Sequence, residues 1–310
     1  MRELDFTTDQ RCFAQSAGRI GSFEELTTVK LAGDRVADGN SLTVSPTLLK
    51  ALAKLPALTT LALHAGHFDP TCHQVLLPQL RHLKFPCELC PLEVETTMSA
   101  ILAPSLTSLQ FYYIDAQDPP DARRYLEMFA KYYPSTLSEL TIYLGMDGQG
   151  DTQLVDLLAP LHSFPVLTKL SCNLRSLVNV TFIDRDVQTL GEAWPQMSQL
   201  ELLYLQRAKP ALSAQCFGNF THYFPHLQTL ALSSVDLDSD LPSSKDIRTH
   251  HRLNSLTIGL ILTTAEDPNL KAFANLLFTI YPRLPDLQFA LITEQQAWVF
   301  VTFEREIVDS

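Results

Sequence analysis

A six-residue figure, apolar-x-x-Leu-x-apolar, returns along almost the whole chain. It reads LTTVKL from Leu26 (with Val at the fourth place), LTTLAL from Leu58, LRHLKF from Leu80, LTSLQF from Leu106 and LSELTI from Leu137. It continues as LTKLSC from Leu167, LELLYL from Leu200, LQTLAL from Leu227, LNSLTI from Leu253 and LPDLQF from Leu284, and a weaker MRELDF opens the chain. Alternation of this kind predicts a short strand whose first, fourth and sixth residues face a core. Proline stands two or three residues ahead of most copies, at Pro56, Pro78, Pro104, Pro134, Pro165, Pro225 and Pro282. There it ends a helix and sets up an extended segment.

Between the hexads the period changes to that of a helix. Ser45-Pro46 followed by Leu48, Leu49, Leu52 and Leu55 is a cap, a first-turn proline and one apolar face. Asp267-Pro268 followed by Leu270, Phe273, Leu276, Leu277 and Ile280 repeats it, and further helices are expected at Asp121 to Tyr133, Thr152 to Leu158, Asp186 to Trp194 and Ala214 to Phe224.

Nine steps lead from Leu26 to Leu284 (284 − 26 = 258), each 22 to 33 residues long, with a mean of about 29. That mean is close to the 20 to 29 residues of leucine-rich repeats. A unit of strand, loop, helix and turn cannot bury its own apolar face, so successive units must stack with their strands parallel. The expected fold is α/β, a leucine-rich-repeat solenoid of about ten to eleven irregular repeats with a curved parallel sheet and helices on the convex side. It spans 1–310 as a single array, with an incomplete repeat at 1–25 and a capping strand region at 290–310. Within that last region Ala297 to Phe303 is apolar, aromatic and strand-like, fit to cover the end of the core. The opposite end, Met1 to Phe23, is expected to be sticky or covered by a further domain.

The third, fifth and seventh positions of each hexad then line the other, concave face of the sheet. They are mainly small and polar, unlike a sheet covered on both sides, so this face is expected to stay wet. Its charges nearly cancel, with Lys30, Lys84 and Lys169 against Glu139 and Asp286. Two groups stand out as partner-binding candidates. Tyr112, Tyr143 and Tyr204 with Leu202 form an aromatic anchor of the kind enriched at interface hot spots. His64, His82 and Lys84, with neighbouring Arg81, form a basic patch.

Composition narrows the function classes. Of the 310 residues 46% are apolar, which is globular, and 23 Lys and Arg against 34 Asp and Glu leave a net charge of −11. Such a surface repels phosphate backbones, so neither nucleic acid nor an anionic membrane is expected as a partner. Met1 to Ile20 lacks the apolar core of a secretory signal, Ile258 to Leu262 is far too short to span a bilayer, and a cytoplasmic or nuclear location is expected. The two sequons at Asn179 and Asn219 are then chance matches. Six unevenly spaced cysteines fit reduced thiols.

Motifs of catalysis and metal binding are incomplete. Cys87-x-x-Cys90 is half a zinc site near Cys72, His73 and His82, with no second pair, and reads as two thiols in a loop between Pro86 and Pro91. Asp236-x-Asp238-x-Asp240 lacks the glycine and the distal glutamate of a calcium loop. The glycines at 145, 148 and 150 have no phosphate-loop lysine after them, and no G-x-S-x-G or H-E-x-x-H occurs. His250-His251-Arg252 and Arg123-Arg124 read as solvated. No cofactor, no metal and no enzymatic activity are expected.

About 290 of the residues resemble the irregular repeat region of fungal F-box-type proteins, in the hexad spacing and in entries such as Phe164-Pro165-Val166-Leu167 and Phe224-Pro225-His226-Leu227. The resemblance implies a non-enzymatic recognition module, the substrate arm of an SCF-type ubiquitin ligase, with Skp1 and a cullin reached only through an N-terminal F-box. No such box precedes the first hexad here, so a fragment, or a relative that has lost the box, is expected. The asparagine regular in many repeat families is replaced by Asp34, Gly66, Glu88, Ile114 and Gly145. A scaffold or inhibitor unrelated to ubiquitination is the alternative.

Overall fold

The computed structural model describes residues 2–8, 20, 23–33, 42–69, 71–89, 91–146, 151–176, 179–204, 211–238, 241, 249, 252–262, 270–292 and 298–304. The chain divides into two compact units, Met1–Asp147 and Gly148–Ser310. In the first, the strands Glu3–Thr8, Thr28–Gly33, Thr60–Phe68, His82–Leu89, Ser108–Ala116 and Glu139–Met146 lie side by side, all parallel. In the second, Lys169–Ser176, Gln199–Tyr204, Thr229–Asp236, Ser255–Leu262 and Asp286–Ile292 do the same. Trp298–Glu304 then pairs antiparallel with Asp286–Ile292 and occupies the edge of that last parallel strand.

Most hexads enter their strand through a four-residue turn. The backbone N–H of the first hexad residue donates to the carbonyl three residues earlier, as from Leu58 to Leu55, Leu80 to Leu77, Leu167 to Phe164 and Leu227 to Phe224. In these four turns proline stands at the second place, where its fixed φ is an advantage. Met197 makes this bond to Trp194, with Pro195 between them. The hexad of that repeat is thus Met197-Ser-Gln-Leu-Glu-Leu202, three residues earlier than expected from LELLYL, and Leu200 pairs in register with Leu230. Hexads then begin at Leu137, Leu167, Met197 and Leu227, thirty residues apart each time.

A second device holds neighbouring strands at this point. The carbonyl of the second hexad residue accepts two backbone N–H groups from the next repeat, and where that repeat offers Thr or Ser it accepts the hydroxyl as well. Thr59 donates both its N–H and its Oγ1 to Thr27, at 2.9 and 3.1 Å, and Thr60 adds its own N–H at 3.0 Å. The same triple contact joins Thr27 and Thr28 to Arg2, Thr107 and Ser108 to Arg81, Ser138 and Glu139 to Thr107, and Ser198 and Gln199 to Thr168. This hydroxyl ladder ties neighbouring repeats at the entry to their strands.

Helices follow most strands. Pro46–Leu52 is capped by Ser45, whose Oγ accepts from Leu48, and Pro119–Tyr132 by Asp118, which accepts from Asp121 at 2.8 Å. Leu154–Leu158 continues as the 3-10 turn Ala159–Ser163, and Asp184–Ala193, Cys216–Tyr223 and Leu270–Ile280 complete the second unit. The predicted Asp267-Pro268 start lies outside the described residues. Pro91–Ala100 is also a helix, not among those expected; the loop expected between Pro86 and Pro91 is corrected, since Cys87 sits in the strand His82–Leu89, and Cys90 lies outside the described residues. Short parallel ladders, Leu42–Val44 on Thr60–Phe68, Val75–Leu76 on Ile101–Leu102 and Asp151–Gln153 on Asn179–Thr181, bridge strand and helix.

The core lies between the strands and these helices. Fourth and sixth hexad residues such as Leu83, Phe85, Leu140, Ile142, Leu170 and Cys172 are buried. In the first unit Phe85 stacks on Phe111, which meets Phe129 edge-on, with centroids 4.7 and 5.0 Å apart. In the second, the residue before each turn proline is a buried aromatic: Phe164, Trp194, Phe224 and Tyr281. Burial pushes the Cys172 thiol up to about 12, so it packs as a small hydrophobe. Gly191 permits the close approach of two helices, because a methyl group there would meet the backbone carbonyl of Tyr223. Each unit is a leucine-rich-repeat array.

Candidate functional site

The face of the sheet away from the helices carries the hexads' odd positions. In the first unit Lys84 and Glu88 are exposed, and Thr28, Thr60, His64, His82, Ser108, Gln110, Glu139 and Thr141 are partly so. Among the described residues the largest aromatic exposure on this face is that of Tyr112, 56%. Its ring stacks on Tyr143 of the next strand, with centroids 5.6 Å apart and planes 29° off parallel.

A bulge builds this pair into a cluster of three. Between Phe111 and Ile114 the strand carries two residues, Tyr112 and Tyr113, against the single Tyr143 of its neighbour. An inserted residue breaks the in-out alternation, so two consecutive tyrosines reach the same face. Tyr113 lies across Gly145, its hydroxyl standing where a side chain on Gly145 would have to go. The Asp115 carboxylate closes in on the same spot, at 3.3 Å from the position of that absent carbon. Glu88 pairs in register with Tyr113 from the other side and so shares its face. Glycine at this position is what lets the ring lie flat.

Two predicted anchor residues are corrected. Leu202 is 1% exposed and Tyr204 is 7% exposed, and both face the core. The three-residue shift of that hexad inverts their assignment: Leu202 is a sixth position paired with Leu232, and the Tyr204 ring meets Phe182 edge-on. The open face of that strand instead carries Gln199 and Glu201. The Glu201 carboxylate accepts from Gln199 at 2.7 Å and from Ser171 at 2.8 Å. With Glu201 in place of Tyr204 at the fifth position, the charges counted on the odd positions balance.

In the basic patch His82 and Lys84 are third and fifth residues of one hexad, in register with Thr60 and Ala62 of the strand that carries His64. Arg81 is exposed at the entry to that strand, its carbonyl engaged by Thr107 and Ser108. Lys30, counted with this face, is tied to Glu3 at 2.7 Å, and that bond and charge raise its pKa.

A polar cleft of about 510 Å³ opens beside the N-terminus of Pro119–Tyr132, between Glu95, Asp118, Asp121 and Arg124. Its acids are occupied structurally: Asp118 caps the helix, and Asp121 accepts from Tyr125 at 3.1 Å. Among the described residues no group of three or more His, Cys, Asp or Glu converges as metal ligands would. Gly148, Gly150, Asp240, His250 and His251 lie outside the described residues. No described helix is long and apolar enough to cross a membrane. Arg123 and Arg124 are exposed on their helix, paired with Glu127 at 3.2 Å and Asp121 at 3.9 Å.

No protein-family model matches this chain, and no curated protein does. Among solved structures it is similar to the leucine-rich repeat-containing protein LegL7 from Legionella pneumophila, at 13% identity and a TM-score of 0.36, over 96% of this chain and 92% of that one. The assignment as a repeat array rests on this chain's own strand order, register and recurring turn.

Proposed function

We propose that the protein is a recognition module that binds a protein partner on the open sheet face of its first unit, with Tyr112, Tyr113 and Tyr143 as the anchor and His64, Arg81, His82 and Lys84 as a basic flank. The observation that carries this reading is the stacked tyrosine pair on a face over which no described helix lies, with Tyr112 more than half exposed. A monomer gains little by holding such a ring in water, whereas an interface gains a large, rigid contact at small entropic cost.

The test is a triple change of Tyr112, Tyr113 and Tyr143 to alanine, with Gly145→Ala beside it, in affinity capture of native partners followed by their identification. Capture of the specific partner is expected to fall about tenfold or more, with the melting temperature held close to wild type because these rings lie outside the core. Gly145→Ala should lower capture through displacement of Tyr113 alone. Undiminished capture by a folded triple variant would overturn the reading.

The narrower assignment, a substrate arm of an SCF-type ubiquitin ligase with Skp1 and a cullin as further partners, is supported only by the repeat resemblance. Recovery of Skp1 and a cullin with the full gene product is the result it requires. Their absence leaves the scaffold or inhibitor reading.

A further inference from the structure

We infer that the partner presents a cationic side chain, in the first place arginine, to the tyrosine cluster. The inference rests on the proposed use of this face and adds the chemistry of what binds there. Four observations converge on it. Tyr112 and Tyr143 offer stacked ring faces, whose negative quadrupole attracts a guanidinium group. Tyr113 adds a third ring beside them, held by its contact with Gly145.

Two carboxylates bracket that third ring, Glu88 through its register with Tyr113 and Asp115 through its register with Gly145. Glu88 is exposed and Asp115 is half-buried. Along the strand His82–Leu89 and its entry the charge is also segregated: Arg81, His82 and Lys84 lie towards the entry and Glu88 towards the exit, where Asp115 of the next strand also stands, while Glu139 lies at the entry two strands on. Lys84 and Glu88 are four residues apart, with the register shift at Pro86 and Cys87 between them. Arginine is favoured over lysine because a planar guanidinium can stack on a ring while its N–H groups reach a carboxylate.

The experiment selects nine-residue peptides from a randomised display library on the full chain, then measures the selected peptides against wild type, against a Tyr112→Ala/Tyr143→Ala variant and against a Glu88→Gln/Asp115→Asn variant. The expected result is peptides that carry Arg or Lys, with affinity reduced about tenfold in both variants and melting temperatures unchanged. Arginine peptides that bind Glu88→Gln/Asp115→Asn as well as wild type would overturn the inference. So would selection of acidic peptides that depend on Lys84 and the tyrosines, an outcome that leaves the proposed face intact. Peptides indifferent to Tyr112→Ala/Tyr143→Ala, or no enriched peptide at all, would overturn the inference, and indifference would overturn the face with it.

Discussion

The hydroxyl of Tyr204 is buried, and among the described residues nothing accepts its proton. Desolvation raises its pKa well above the ordinary tyrosine range, so it stays neutral. A buried polar group without a partner costs about 1 to 3 kcal/mol. Tyr204→Phe removes the group and keeps the ring against Phe182, so stability should be unchanged or higher by about 1 kcal/mol, read as the midpoint of urea unfolding. A clear loss would reveal an acceptor. The same residue marks where the sequence was legible and where it was misread. LELLYL from Leu200 satisfies the hexad pattern better than MSQLEL from Met197, but only Met197 has a proline two places before it, and the turn decides the frame. Tyr113 left no such signal: nothing in Phe-Tyr-Tyr-Ile says that both tyrosines share a face, because the bulge is a property of the two strands together.

Among elements, the strands with a leucine hexad and a turn proline were readable almost to the residue, since two independent signals coincide at each. The helix Pro91–Ala100 was not. Among its buried residues, Val94, Thr97 and Met98 follow helical spacing. Three β-branched residues in ten, however, weaken its helical signal. In the second unit, Asp184–Ala193 and Cys216–Tyr223 meet where Gly191 faces the backbone of Tyr223. Gly191→Ala would gain helix propensity of about 1 kcal/mol on an isolated helix. Here the backbone cannot yield as a side-chain tip would, so overpacking of about 1 to 3 kcal/mol should win. A net loss of stability in thermal unfolding is the expected outcome, and stabilisation would show that the two helices can part freely.

At the scale of the molecule, charge and recognition act together. A net charge of −11 attracts a cationic partner from a distance and repels polyanions. The association rate of an arginine peptide selected on the chain should therefore fall several-fold between about 50 and 300 mM salt, with the dissociation rate changing less, in stopped-flow measurement. A rate indifferent to salt would mean that the acidic surface takes no part in capture. The hydroxyl ladder has a separate consequence. Because a shared carbonyl sets the pitch at the mouth of each strand, the length of chain spent before the next rung is left unregulated. Steps as short as the one from Leu58 to Leu80 coexist with the longer one from Leu26 to Leu58. Segments on the helical side can thus lengthen or shrink over evolution without disturbing the spacing of whatever the opposite surface displays.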